Sequence, residues 1–144
     1  MKNWENELNE MLPLLGHRNW IVLTDMAYPL QAKDGIVTIY ADAEYAYVLN
    51  FVIKAIKDCP HIRPHVYQDM ELNDLDDNSC PGIEDYKTMT AETLGGMDVK
   101  HVKHEELISR LDSVSNMFKV VIIKTRLLKP FTSVFFELDC KYWQ

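Results

Sequence analysis

The apolar run WIVLT at positions 20–24 is the feature that most constrains how this chain can fold. Almost every position in it is apolar, which is typical of a central strand covered by other elements on both faces. Gly16 and His17 come before the run, and Asp25 follows it. A histidine before a strand and a carboxylate after it lie at opposite ends of a sheet. These two side chains can therefore meet only if a neighbouring segment or subunit brings the two ends together.

The segments around this strand alternate between helical and extended patterns. A first helix is predicted to begin with Asn3 as N-cap, to kink near Pro13 and to end at Gly16 in a left-handed conformation. A second helix is predicted over 43–58, with Asp42 as its cap. Further helices are predicted over 83–94 and 104–114, and further strands over 36–41, 61–70, 99–102, 118–125 and 132–138.

Strands that alternate with helices of this length predict an α/β fold, here a three-layer α/β/α domain with a mainly parallel sheet. The last two predicted strands are separated by six residues. Because that link is too short for a helical crossover, the final strand is predicted to be antiparallel and the sheet to be mixed. With 144 residues and no repeat or linker in the sequence, we expect a single domain over 1–144.

The composition narrows the classes of partner. A formal net charge of −7 argues against nucleic acid and anionic membranes, which are bound through clustered Lys and Arg. No segment approaches the ~20 apolar residues that span a bilayer, and the polar, acidic N-terminus is unlike a secretory signal. Cys59, Cys80 and Cys140 form no CxxC pattern, so neither a zinc site nor a disulfide framework is indicated. We expect a cytoplasmic protein with reduced thiols.

The sequence contains no P-loop, no GxGxxG after the first strand, no GxSxG and no HExxH, which excludes the usual nucleotide, hydrolase and zinc-protease sites. Polar residues at strand ends remain as candidates. Asp25 is well placed because ligands of open α/β sheets bind outside the carboxyl ends of strands, although it could equally cap the following turn. His17 is either a proton carrier or a solvated loop histidine.

Two other groups of residues invite a chemical interpretation. The spacing of His101 and His104 could indicate metal binding, but no third ligand is evident, and His104 also suits an ordinary helix start. The hydroxyl groups of Thr132 and Ser133 could bind a sugar or satisfy neighbouring backbone groups. From the residues alone, these positions do not identify a function.

Four segments of the chain, in this order, resemble the D-ribose pyranase and L-fucose mutarotase family. They are LLGHRNWIVLTDMAYP, IVTIYADAEYAYVLNFVIKAI, VKHEELISR and VVIIKTRLLKPFTSVFFE. The similarity covers most of the chain and is closer to the fucose mutarotase branch over the first half. It implies an isomerase without cofactor or metal that interconverts cyclic forms of a free fucose-like or ribose-like sugar.

The resemblance also implies roles for individual residues. His17 matches the family's catalytic histidine, and Asp25 matches a substrate-binding aspartate that we expect to assist catalysis. His104 matches a substrate-contacting histidine of the ribose branch, and His101 falls near an arginine of the fucose branch. Both are expected to contact the substrate. A proton must leave the anomeric hydroxyl and another must reach the ring oxygen, and an imidazole with a pKa of about 6.5 can serve both transfers.

The chain departs from the family pattern at two places. The family's Tyr-x-Asn at the start of the last strand corresponds to Phe131, Thr132 and Ser133, of which Phe131 and Ser133 are expected to contact the substrate. The Gly-Glu after the penultimate strand corresponds to Arg126 and Leu127. These departures keep open a second hypothesis, a protein of the same fold that binds sugar or assembles without catalysing.

The resemblance further implies a ring-like homo-oligomer, with a decamer as the candidate, and a site shared between adjacent subunits. Such sharing would bring His17 of one copy to Asp25 of another. An exposed apolar patch would favour this assembly, and we expect one from the aromatic residues near the C-terminus, Phe135, Phe136, Tyr142 and Trp143.

Overall fold

A computed structural model describes residues 3–143, which contain one six-stranded sheet with helices on both faces. The helices are α1 (Trp4–Met11), α2 (Tyr45–Asp58), α3 (Ile83–Leu94) and α4 (His104–Val114), and 3₁₀ turns cover Leu12–Leu14 and Met70–Asp74. The strands are β1 (Trp20–Thr24), β2 (Ile36–Tyr40), β3 (Ile62–Asp69), β4 (Val99–Val102), β5 (Val120–Lys124) and β6 (Val134–Cys140). The sheet order is β2-β5-β1-β6-β3-β4, and β6 alone runs antiparallel to its neighbours.

The apolar run at 20–24 forms a strand that is buried at all five positions. Its alternate side chains enter two separate cores: Ile21 and Leu23 pack with α1, α2 and α3, whereas Trp20 and Val22 pack with α4. Because both faces are covered, neither face of the strand can be polar. The predicted three-layer α/β/α fold with a mainly parallel, mixed sheet is therefore confirmed.

The last strand is antiparallel, as predicted, but it does not pair with the strand before it in the sequence. β1 lies between β5 and β6, so that Val22 is opposite Phe135 on one side and Ile122 on the other. The other edge of β6 pairs with β3. The observed link, residues 125–133, has nine residues and can span up to about 30 Å, whereas neighbouring strands lie only about 5 Å apart, so it passes one strand without strain.

The prediction for the end of the first helix is wrong. The left-handed residue after the first helix is Arg18, with a φ of 78°, and not Gly16. The Gly16 N–H donates to Asn19 Oδ1 at 2.7 Å, so a side chain closes the turn that glycine was expected to close. At the other end of the helix the prediction is confirmed, because Asn3 accepts hydrogen bonds from two first-turn N–H groups.

Asp42 does not cap α2. The helix begins at Tyr45 with Glu44 in the cap position, and no side chain bonds to its first turn. Asp42 instead accepts a hydrogen bond from the Tyr40 hydroxyl at 3.2 Å and lies 3.7 Å from the guanidinium of Arg126. Competing partners at the end of β2 thus draw this carboxylate away from the helix.

The aromatic residues near the C-terminus do not form one exposed patch. Phe135 and Phe136 are completely buried on opposite faces of β6, whereas Tyr142 and Trp143 are exposed. The expectation was wrong for the two phenylalanines because strand alternation sends each of them into a core. Within residues 3–143, no helix is long and apolar enough to cross a membrane.

Phe136 lies at the centre of the core formed with α1, α2 and α3, which makes it a test of the packing. We expect Phe136→Ala to lower the free energy of unfolding by roughly 3–5 kcal/mol, because it removes a fully buried ring and leaves a cavity. Urea denaturation followed by circular dichroism measures the change. Trp143→Ala is the matched control, since that side chain is 83% exposed and should cost about 0.5 kcal/mol or less. Equal effects of the two changes would contradict this packing.

Candidate functional site

A cavity of about 200 Å³ opens where β1 and β3 end and β6 begins. We call it the Asp25 cavity. Because β6 is antiparallel, its first residues meet the last residues of its two parallel neighbours. The cavity is lined by Asp25, Ala27, Tyr28, Pro29, Asp69, His104, Pro130, Phe131 and Ser133. Four of the predicted site residues, from three distant parts of the sequence, therefore come together.

Two hydrogen-bonded side chains, those of Asp69 and His104, line this cavity together. Asp69, the last residue of β3, is completely buried, and its Oδ1 lies 2.9 Å from Nδ1 of His104, the first residue of α4. This hydrogen bond raises the pKa of His104, while partial burial of the ring opposes the increase. Because Nδ1 is engaged with Asp69, Nε2 is the ring nitrogen available to a ligand.

The start of α4 is held by a second carboxylate. The backbone N–H of His104 donates to both oxygens of Glu71, at 3.0 and 3.3 Å. Glu71 belongs to the 3₁₀ turn that directly follows β3. The segment after β3 thus fixes both the side chain and the backbone of His104, and the imidazole has little freedom to turn.

Asp25 lies just past the end of β1 and serves two purposes. Its Oδ2 accepts a hydrogen bond from the Ala27 N–H at 3.3 Å, which is the turn-capping role that the sequence left open. The same residue lines the cavity, and partial burial raises the pKa of its carboxyl group. The carboxylate therefore stabilises the turn and remains within reach of a molecule in the cavity.

Two buried tyrosines position the opposite wall. The carbonyl oxygen of Thr132 accepts hydrogen bonds from the hydroxyl groups of Tyr45, at 2.7 Å, and Tyr86. Burial raises the pKa of Tyr86 to about 12, so this hydroxyl remains a donor at all ordinary pH values. The pair holds the backbone between Phe131 and Ser133 in place, and Ser133 lines the cavity while being only 3% exposed.

Phe131 packs against the imidazole of His104. The two ring centroids are 5.7 Å apart, and the ring planes meet at 81°, an edge-to-face contact. Phe131 has a φ of 56°, an unfavourable conformation for a residue with a large side chain. Such strain persists only where surrounding contacts hold it, and it often marks a functional site.

His17 lies at the far end of the sheet. Its Nδ1 is 2.9 Å from Asp139 Oδ1, and the other oxygen of Asp139 contacts His65 at 2.9 Å and Arg63 at 3.4 Å. Hydrogen bonds from His65, from a backbone N–H and from His17 lower the pKa of Asp139 to about 2. Within one chain His17 does not reach Asp25, so its catalytic role stays a prediction that requires a second copy.

His101 faces a different cavity from His104. It lines a space of about 300 Å³ between α3 and β4, together with Gln68 and Lys87. Its predicted contact with substrate is therefore not one that the Asp25 cavity offers in a single chain. Among residues 3–143, no three His, Cys, Asp or Glu side chains lie close enough to hold a metal ion.

Sequence reasoning missed Asp69, Tyr45 and Tyr86. Asp69 could have been found, because it ends a strand in the same way as Asp25 does, and the same rule about strand ends applies to both. The two tyrosines carry no such signal, since their spacing in α2 and α3 is that of ordinary core positions.

Comparison with known proteins identifies the architecture. No protein-family model and no curated protein matches the sequence, but solved structures match the coordinates. RbsD of Bacillus subtilis, solved with D-ribose, is 17% identical, with a TM-score of 0.65 over 92% of this chain and 91% of that one. The fucose mutarotase of Streptococcus pneumoniae, solved with L-fucose, is 17% identical, with a TM-score of 0.61 over 92% of this chain and 91% of that one. FucU of Bifidobacterium longum is 13% identical, with a TM-score of 0.60 over 93% and 94%.

The chain has the fold of RbsD and fucose mutarotase. The fold that the resemblance implied is therefore confirmed along nearly the whole chain. At these identities the agreement concerns the fold alone.

The pair formed by Asp69 and His104 predicts a specific pH dependence. A histidine pKa that folding raises stabilises the native state below the unfolded pKa of about 6.5, and this contribution is lost as the pH rises through the higher folded value. Asp69→Asn should lower the pKa of His104 to its ordinary value or below, because burial of the ring remains. It should also flatten the decline in stability above about pH 6.5. Imidazole titration by NMR and urea denaturation at several pH values measure the two effects.

Asp139→Asn is the control for this experiment, because it removes a histidine-bound carboxylate at the other end of the sheet. It should leave the titration of His104 unchanged. A His104 pKa that is insensitive to Asp69→Asn, or equally sensitive to both changes, would contradict the assignment.

Proposed function

We propose that this protein binds a free monosaccharide in the Asp25 cavity and interconverts its cyclic forms, as a sugar mutarotase or pyranase. The observation that carries the proposal is the convergence of Asp25, His104 and Ser133 on one cavity at the carboxyl ends of strands. The fold supports it, because two solved proteins of the same fold are complexes with D-ribose and L-fucose.

The cavity suits a small, uncharged molecule with many hydroxyl groups. Its volume of about 200 Å³ equals that of six or seven waters at ~30 Å³ each, the scale of one sugar ring. The carboxylate of Asp25 accepts hydrogen bonds from hydroxyl groups, and the hydroxyl of Ser133 can donate or accept. Asp25 and Asp69 together disfavour an anionic ligand.

Ring opening moves two protons and breaks one bond. The anomeric hydroxyl loses its proton, the bond between the anomeric carbon and the ring oxygen breaks, and the ring oxygen takes up a proton. The resulting open-chain aldehyde rotates and recloses by the reverse steps. In our proposal His17 of an adjacent copy transfers the proton, Asp25 orients that histidine or a sugar hydroxyl, and His104 and Ser133 position the sugar. No cofactor or metal takes part in this scheme.

This scheme requires self-association, because His17 and Asp25 lie at opposite ends of β1 in one chain. We therefore propose a ring-like homo-oligomer, with a decamer as the candidate, in which each cavity receives His17 from its neighbour. The three free cysteines suit a reducing compartment, and we place the reaction in the cytoplasm.

A second function, sugar binding without catalysis, is favoured by one observation. The ring that packs against His104 is Phe131, which has no hydroxyl to donate or accept a proton. A protein of this kind would bind the same sugars and leave their anomers unchanged. His101 and His104 as metal ligands form a third hypothesis, but the two line different cavities.

Saturation-transfer NMR on ribose, fucose, galactose and related monosaccharides tests the proposal and separates the first two functions. We expect exchange between anomer resonances that His17→Gln and Asp25→Asn each reduce at least a hundredfold, the typical value of a general acid or base. Asp58→Asn, an exposed carboxylate change on α2, is the control and should leave exchange unchanged. Binding without exchange in the unmodified protein would support the second function, and absence of both would refute the proposal.

Mixing two inactive variants tests the shared site. His17→Gln retains Asp25, and Asp25→Asn retains His17, so a ring reassembled from equal amounts contains sites with both native groups. Each site takes His17 from one copy and Asp25 from the next, and half of the copies supply each native residue. Random mixing around head-to-tail interfaces should therefore make about one site in four native and restore about a quarter of the native exchange rate. Exchange measured after joint refolding checks this, and separately refolded proteins combined afterwards are the control. No recovery in the mixed ring, with assembly intact, would show that the site is not shared in this way.

A further inference from the structure

A second cavity, of about 450 Å³, lies at the opposite end of β3 from the Asp25 cavity. We call it the basic cavity. Its lining includes the cationic side chains of Lys57, Arg63 and Lys100, the imidazole of His65 and a single carboxylate, Asp98. Three permanent positive charges thus share one concave surface in a chain whose formal net charge is −7. Like charges repel one another, so this concentration calls for a compensating group.

The two lysines of the basic cavity have no such group within the protein. No carboxylate of residues 3–143 lies within 4 Å of the ammonium group of Lys57 or Lys100. Three lysines of residues 3–143 do lie within 4 Å of a carboxylate: Lys33 beside Asp112, Lys54 beside Asp58 and Lys87 beside Glu84.

A capping role does not account for Lys57. It lies in the last turn of α2, where a cation could stabilise the free carbonyl groups of the helix end. Lys141 already does this, because its Nζ lies 2.9 Å from the carbonyl oxygen of Cys59 and 3.3 Å from that of Lys57. The ammonium group of Lys57 is therefore available to the basic cavity.

The backbone explains why Arg63 and His65 join this cavity. β4 pairs only with residues 66–69 of β3, which leaves the first half of β3 as an open edge. Pro64 interrupts that edge, since it has no N–H to offer another strand. Asp139 holds both side chains from the β6 side, at 3.4 Å from Arg63 and 2.9 Å from His65. Arg63 Nε is buried and donates to no acceptor within residues 3–143.

We propose that the basic cavity binds a phosphoryl group, as inorganic phosphate or as a phosphate monoester. Lysine ammonium groups neutralise a dianion as point charges, and an arginine adds planar, charge-assisted hydrogen bonds. This chemistry is opposite to that of the Asp25 cavity, whose two carboxylates disfavour anions. The inference does not rest on the proposed sugar reaction, because no residue assigned to that reaction lines the basic cavity. The two regions do share Asp139, which contacts His17 as well as Arg63 and His65.

Titration calorimetry of the full chain with inorganic phosphate, glycerol phosphate and glycerol tests this proposal. We expect saturable binding of the two phosphates and none of glycerol, with the imidazole signal of His65 shifting in parallel NMR titrations. Tighter binding of glycerol phosphate would indicate a monoester as the ligand. Equal or tighter binding of inorganic phosphate would indicate the free ion.

A pair of charge-matched variants locates the site. Lys57→Gln combined with Lys100→Gln should weaken phosphate binding at least about tenfold, because it removes two charge-assisted contacts. Lys54→Gln combined with Lys119→Gln changes the net charge by the same amount at exposed positions outside the basic cavity and should have little effect. Circular dichroism and thermal unfolding verify that both variants fold. Equal weakening by both pairs, binding unaffected by the first pair, or no saturable binding at millimolar phosphate would overturn the proposal.

Discussion

The architecture of the Asp25 cavity depends on the burial of one carboxylate. Asp69 is fully enclosed, and its second oxygen, Oδ2, accepts no hydrogen bond from residues 3–143. A buried carboxyl group without a hydrogen-bond partner costs free energy, so the hydrogen bond with His104 is the contact that makes this position tolerable. Their hydrogen bond joins the end of β3 to the beginning of α4, and the edge-to-face contact with Phe131 extends the connection to the start of β6. Three elements are thereby fixed around one ligand-sized space.

Much of the fold could be predicted because its signals are local. The apolar run of β1 indicated a strand covered on both faces, and the 3.6-residue period of α2 indicated a helix with one buried face. β3 was harder to recognise, because Pro64 interrupts it and its first half carries polar side chains on an open edge. The strand was nevertheless predicted over 61–70, one residue beyond its actual end, so Asp69 was not identified as a strand-end residue. The turn at Arg18 was unpredictable for another reason: its closing contact is made by a side chain, Asn19, and not by the glycine.

The candidate site was predictable in part. Position at strand ends pointed to Asp25, and the family resemblance added His104, Phe131 and Ser133, which the structure gathers in one cavity. The role of His17 could not be predicted from one chain, because His17 and Asp25 lie at opposite ends of β1. Their proposed contact forms only between two copies in an assembly. The charged side chains also differ between the two ends of β3: Asp25 and Asp69 line one cavity, whereas Lys57, Arg63 and Lys100 outnumber Asp98 in the other. The two cavities therefore differ in the charge of their lining side chains.

The position of β6 has a consequence for how the molecule forms. This strand is the last of the six in the sequence but lies inside the sheet, between β1 and β3. It therefore joins the group of β2, β5 and β1 to the pair of β3 and β4. During translation, every earlier strand leaves the ribosome before the one that unites them. Until then β1 and β3 each present an unprotected edge of the kind that recruits other chains. Such distant pairings also close slowly, so the newborn polypeptide has a vulnerable interval in which chaperones would be of greatest benefit.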